Sequence, residues 1–98
     1  MTELTQIEIQ ALDGPTMLEF GTDWCGYCKA AQPLISSALA KRPDVRHIKI
    51  EDGKGRRLGR LFKVKLWPTL VYLKDGQEIG RLVRPDNVAS IYEILDKI

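Results

Sequence analysis

The segment Trp24-Cys25-Gly26-Tyr27-Cys28-Lys29 holds both cysteines of this 98-residue chain. Two thiols three positions apart make a redox pair. One attacks a disulfide as its thiolate and forms a mixed disulfide, and the other resolves it. In a helix this spacing sets the sulfurs on adjacent ridges, within bonding reach. Cys25 stands where a helix pattern begins, so the positive end of the helix and its free N–H groups favour a thiolate there. Cys28, one turn further in, is expected to be less exposed and to act as the resolving thiol.

Magnitudes show where the advantage lies. A thiol of pKa about 8.5 is roughly 3% ionised at pH 7. Lowering it to about 7 raises the thiolate fraction about 16-fold. Nucleophilicity falls about 5-fold over the same range, so attack gains only about 3- to 4-fold. Cys25 as a leaving group and the tethering of Cys28 must supply the rest. Other uses fit less well. Zinc needs about four ligands, and the two cysteines with the single His47 fall short. Haem attachment calls for His after the second Cys, where Lys29 stands. A structural disulfide stays open as an alternative, although so short a loop gains little from closure. No metal or cofactor is expected beyond the redox-active Cys25–Cys28 disulfide itself.

Elements must position this pair. Glu3 to Leu12 sets Leu4, Ile7, Ala11 and Leu12 at helical spacing, and Thr5 with Glu8 has the spacing of a capping box. Ile7 and Ile9 also alternate as in a strand. Asp13-Gly14-Pro15 ends this segment. Thr16 to Phe20 reads as a buried strand and Gly21 to Trp24 as a turn. The helix from Cys25 carries Ala31, Leu34, Ile35, Ala38 and Leu39 on one face, with Pro33 inside it. Lys41 and Arg42 suit its negative end, and Pro43 stops it. Val45 to Ile50 is the next strand, completing a parallel βαβ unit. Residues 52–57 form a loop, and Leu58 to Lys63 a short helix with Leu58, Leu61 and Phe62 inward. Thr69 to Leu73 and Glu78 to Val83 are antiparallel strands joined at Asp75-Gly76. Asp86 is placed to cap a last helix with Val88, Ile91, Leu95 and Ile98 on one face.

Length and composition suit one soluble domain over residues 1–98, with no apolar run long enough for a membrane span. No signal peptide is visible at the N-terminus, which points to the cytoplasm, where paired cysteines are more often catalytic. A secreted or periplasmic chain stripped of its signal reads identically. A net charge of +2 gives no argument for nucleic acid. Residues 46–65 carry eight Lys and Arg against Glu51 and Asp52. A solvated basic face is the plain account, and a docking face for acidic proteins the sharper one.

From Asp13 onward the chain resembles the thioredoxin family. The likeness rests on Trp24-Cys25-Gly26-x-Cys28-Lys29, Pro33 five residues after the second Cys, Trp67-Pro68-Thr69, and the Asp75-Gly76 hairpin, all in family order and spacing. The resemblance implies an α/β fold, βαβ plus ββα around a mixed four-stranded sheet, with the extra N-terminal helix in front. It makes Cys25 the attacking thiol and Cys28 the resolving one. Trp24 would shield the site, and Pro68 would be a cis-proline bringing the Trp67 backbone beside the sulfurs. Trp24, Gly26, Tyr27, Trp67, Pro68 and Thr69 are then the expected substrate-binding residues. Glu19 takes the place of a buried family acid beneath the second cysteine. Burial would raise its pKa and let it accept the Cys28 proton; an acid facing solvent from an edge strand is the alternative. His47 falls where relatives have a Lys, either paired with Glu19 or as an ordinary surface or core histidine.

The chain also departs from the family. Tyr27 replaces the usual Pro, a Gly-Tyr pair shared with periplasmic disulfide isomerases. Gly21 replaces a frequent Trp, Trp67 a frequent Ile, narrowing the groove, and Arg84 a frequent Gly on the surface that meets partners. Arg84-Pro85-Asp86 stands where glutaredoxins carry Gly-Gly. The expected activity is reduction of protein disulfides by a monomer recharged by thioredoxin reductase or glutathione, with no nucleic-acid or membrane partner. A periplasmic oxidase or isomerase, and a non-catalytic adaptor using the basic 46–65 face, are the rival readings.

Overall fold

The computed structural model describes residues 4–54 and 56–98. Eight elements follow in order: α1 Gln6–Gln10, β1 Pro15–Gly21, α2 Gly26–Ala40, β2 Arg46–Glu51, α3 Arg57–Leu61, β3 Thr69–Lys74, β4 Gln77–Val83 and α4 Val88–Leu95. The sheet order is β2-β1-β3-β4. β1 runs parallel to β2 and antiparallel to β3, and β3 runs antiparallel to β4. This is the mixed four-stranded α/β fold expected from the βαβ and ββα patterns. Of the predicted segments, Glu3 and Gly55 lie outside the described residues.

The central strands are buried on both faces, so their apolar residues run continuously and divide by parity. Met17, Leu70 and Tyr72 pack with Ala31, Ile35 and Ala38 of α2 and Ile91 and Leu95 of α4. Leu18, Phe20, Val71 and Leu73 pack on the other side with Ile9 of α1, Ile50 of β2 and Leu58 of α3. The odd face of β1 is therefore the one beneath α2, and Glu19 belongs to it. The hairpin closes with both turn residues left-handed, Asp75 at φ 50° and Gly76 at φ 80°, the geometry that matches strand twist.

Four expectations change. Thr5 and Glu8 do form the reciprocal capping box, but Ile7 is 78% exposed and Ile9 is the buried residue. A helix of five residues presents too little face to follow a longer periodicity, and Leu4, Ile9 and Leu12 make the contact instead. Leu61 likewise points outward while Leu58 and Phe62 pack inward. The cap of α4 is Asn87, whose Oδ1 accepts from Ser90 N at 2.8 Å. Asp86 instead accepts from the Asn87 amide at 2.8 Å, orienting the cap. Arg42, expected to serve its own helix end, reaches the Leu95 and Ile98 carbonyls at 2.7 and 2.9 Å. It ties the C-terminal end of α4 to the end of α2.

Candidate active site

β1 ends at Gly21, and the chain turns through Thr22 to Trp24 into α2. Cys25 is the N-cap of that helix, with extended backbone, and its sulfur accepts from the Cys28 N–H at 3.2 Å. A cap of this kind normally uses a Ser, Thr, Asp or Asn oxygen. A sulfur in that place is favoured as an anion by the exposed amides of the first turn. Burial pushes the Cys25 thiol up, but the Cys28 thiol, the backbone N–H groups of Cys28 and Tyr27 and the charge of Arg84 outweigh it, so the net direction is down. Burial, the hydrogen bond to Cys25 and the charges of Cys25 and Glu19 push Cys28 the other way, to about 11. Both thiols are free. Their exposures differ little, 8% for Cys25 and 5% for Cys28, so what separates their roles is electrostatics more than access.

The floor beneath Cys28 is made by the odd face of β1. A Cβ on Gly21 would lie 2.7 Å from the Cys28 sulfur. The absence of a side chain there is what gives that sulfur its place. One pair back, Glu19 is buried. Gln32 Nε2, one helical turn beyond Cys28, donates to Glu19 Oε2 at 2.6 Å and to the Cys28 carbonyl at 3.1 Å. From β2, whose register pairs His47 with Met17, the ring Nε2 of His47 lies 2.7 Å from Glu19 Oε1. Burial raises the Glu19 pKa, as expected, but hydrogen bonds from His47 and Gln32 and the charges of His47 and Lys49 overcome it. The carboxyl is held below its usual range, which corrects the expectation of a raised value.

The opposite wall comes from the loop before β3. The Trp67–Pro68 bond is cis, and the Trp67 carbonyl lies 4.0 Å from the Cys25 sulfur. The Trp67 ring is held from both sides. Its Nε1 donates to Asp52 Oδ2 at 2.9 Å, and its face meets Trp24 edge-on, with centroids 5.6 Å apart at 83°. Asp52 follows β2, its N–H donating to the Gly21 carbonyl at 3.0 Å, and packs where a side chain on Gly59 would collide with its carboxylate. Trp24 and Tyr27 stand out from the site, 69% and 59% exposed, and Gly26 borders open space. Thr69 departs from its expected place. It is buried, and its hydroxyl donates to the Leu66 carbonyl at 2.6 Å, so it braces the loop and presents no side chain to a substrate.

Gln32, Asp52 and Arg84 join the site without having been assigned to it. Gln32 had one signal, a polar residue four after Cys28 on the helix. Arg84 was marked only by its departure from glycine. Asp52 had none, being one acid in a basic stretch. No group of residues suited to hold a metal occurs among the described residues, and no helix is long and apolar enough to cross a membrane.

A profile of the thioredoxin family matches residues 3–97. Among solved structures, thioredoxin 2 from Pseudomonas aeruginosa PAO1 in its reduced form is 52% identical, with a TM-score of 0.87 over 97% of this chain and 88% of that one. The thioredoxin Asp f 28 of Aspergillus fumigatus is 32% identical over 87% of this chain and 79% of its own length. A thioredoxin of Chlamydia trachomatis is 30% identical over 86% and 82%. These likenesses lend no support to the oxidase, isomerase or adaptor readings. A dithiol at a helix start, a cis-proline facing it and a match along nearly the whole chain lead to one conclusion: this chain belongs to the thioredoxin family of thiol–disulfide oxidoreductases.

Proposed function

We propose that the protein is a protein-disulfide reductase. The observation that carries this reading is the electrostatic splitting of the two sulfurs. The Cys25 thiol, N-cap of α2 and acceptor of the Cys28 N–H, is shifted toward its anion, while Cys28, three residues on, is pushed up to about 11. The Cys25 thiolate attacks one sulfur of a substrate disulfide. That S–S bond breaks, a Cys25–substrate disulfide forms, and the displaced sulfur leaves as a thiolate that takes a proton from solvent. Cys28 then loses its proton and attacks the Cys25 sulfur. The mixed disulfide breaks and the second substrate thiol departs. The substrate has gained two electrons, and the protein holds a Cys25–Cys28 disulfide.

The proton on Cys28 sets the order of events. Transfer from a thiol near 11 to a carboxyl below its usual range runs steeply uphill. Two of the influences holding Cys28 up come from Cys25 itself, its charge and its hydrogen bond. Both end when Cys25 becomes a neutral mixed disulfide. Cys28 is thus released for ionisation only once there is an adduct to resolve. Glu19 is the nearby acceptor, and His47, bonded to its other side and partly open to solvent, holds the carboxylate in place.

By family analogy the oxidised form is recharged by a thioredoxin reductase or by glutathione, and the protein works as a cytoplasmic monomer on disulfide-containing proteins. An insulin-reduction assay tests the mechanism: Cys25→Ser abolishes turnover, and Cys28→Ser accumulates covalent substrate adducts. Normal turnover in Cys25→Ser overturns it. A reduction potential near −270 mV fits a reductant, and one near −120 to −180 mV an oxidant or isomerase.

A further inference from the structure

Arg84 follows β4 directly, with φ 50°, a backbone region that glycine enters freely and side-chain-bearing residues rarely adopt. Such a residue at a functional cleft is a reason to ask what its side chain does. Its N–H donates to the Pro68 carbonyl at 2.9 Å, locking residue 84 against the cis-proline loop. Its side chain then lies across the groove. Nε donates to the Trp67 carbonyl at 2.9 Å, and the guanidinium carbon sits 3.9 Å over the Tyr27 ring. That carbonyl is the one 4.0 Å from the Cys25 sulfur.

Two properties of this arrangement stand out. The guanidinium forms no ion pair with a carboxylate among the described residues. It is exposed, with one plane face covered by Tyr27 and its remaining N–H donors directed around the edge. The hydrogen bond from its Nε also takes up one lone pair of the Trp67 carbonyl and sets the side chain over the acceptor that an extended substrate segment would need for backbone pairing beside the sulfur. A neutral substrate must displace Arg84 without replacing its contact. A substrate carrying a carboxylate offers the guanidinium a charge-assisted partner whose two oxygens fit its fork, which a neutral carbonyl cannot match.

We propose that Arg84 is a specificity-determining residue that selects protein disulfides whose attacked cysteine is flanked by Asp or Glu, exchanging its bond to the Trp67 carbonyl for the substrate carboxylate and so freeing that carbonyl to accept the substrate's backbone N–H. Basic flanks are disfavoured by the same charge. This rests on the reductase reading. The charge of Arg84 also supports the Cys25 thiolate, an effect common to all substrates that cancels in a ratio of rates.

The test uses three disulfide peptides identical except for Glu, Gln or Lys beside the attacked cysteine. Each is reduced in single turnover by the dithiol protein, wild type, Arg84→Gly and Arg84→Lys, at low and high salt. Glycine suits the backbone at this position, so Arg84→Gly retains the fold. Wild type is expected to reduce the Glu peptide about 5-fold faster than the Gln peptide, the size of an exposed ion pair, and the Lys peptide slowest. High salt compresses the ratio. Arg84→Gly abolishes it and Arg84→Lys restores part of it. Equal rates on the three peptides, or an unchanged ratio in Arg84→Gly, overturn the selection and leave the reductase reading standing. Failure of the wild-type dithiol to reduce any of the peptides overturns both.

Discussion

Glu19 Oε1 lies 2.7 Å from the ring Nε2 of His47, a partner 28 positions away on the neighbouring parallel strand. With Gln32 on its other oxygen, the carboxylate is satisfied as an anion although it is buried, and its pKa falls. The sign of the linkage follows. A carboxyl depressed in the folded state stabilises the protein above its unfolded value, about 4.3, and that stability is lost as pH falls through the folded value. The stability advantage of wild type over Glu19→Gln is therefore expected to be full at pH 6 and to shrink as pH drops below about 4.3. Urea melts across pH 3 to 6 check it; a gap that does not change with pH refutes it. The same variant should slow resolution of a mixed disulfide by about 10-fold, less than the roughly 100-fold of an unaided general base, because water also accepts the proton.

The two cysteines should titrate far apart. Alkylation of the dithiol protein, followed by peptide mass spectrometry, is expected to label Cys25 with a midpoint below the ordinary thiol value of about 8.5. While Cys25 is still unlabelled, Cys28 is expected to resist until pH approaches about 11. Cys28→Ala removes a hydrogen bond that favours the Cys25 anion, so the Cys25 midpoint should move up. Superimposed labelling curves for the two residues would contradict the splitting on which the mechanism stands.

Trp67 and Asp52 should prove unequal partners. Asp52→Asn keeps an acceptor for the indole N–H. Trp67→Phe leaves the buried Asp52 carboxylate without its donor, and stranding a charged group costs the more. Chemical denaturation should show a loss of about 1 kcal/mol for Asp52→Asn and about 2 to 3 kcal/mol for Trp67→Phe. The reverse order would mean that the bond at 2.9 Å is not what holds this wall.

Gly21 and Gly26, five residues apart, should respond oppositely to alanine. At Gly21 the new methyl meets the Cys28 sulfur at 2.7 Å. The expected cost is about 1 to 3 kcal/mol, with a longer-lived mixed disulfide because the resolving sulfur is displaced. At Gly26 nothing lies within 4 Å, and alanine should stabilise the helix start by up to about 1 kcal/mol. Thermal melts and trapped-adduct lifetimes measure both. Equal behaviour of the two variants would show that the crowding at Gly21 is unimportant.

The relations legible in the sequence are local ones. The capping box of α1, the apolar face of α2, the Asp75-Gly76 turn and the Cys pair all depend on residues within about a turn of one another, where spacing is geometry. What escaped depends on distant partners. Burial of Glu19 was foreseeable from its strand, but the direction of its titration was decided by Gln32 and His47, 13 and 28 residues away. Asp52 gained meaning only when the fold laid Trp67 and Gly59 against it. Ile7 and Ile9 show a third kind of difficulty. In so short a helix the end contacts decide which side turns inward, and a periodicity cannot.

The sulfur that attacks is also the residue that begins α2. Forming a Cys25–Cys28 disulfide would therefore alter the sulfur that caps the start of the helix, and reducing it would restore that cap. Electron traffic and backbone order meet in a single atom, so the first amides of α2 keep a record of the protein's oxidation state. Any partner that must distinguish the dithiol from the disulfide form would find the difference at this end of the helix.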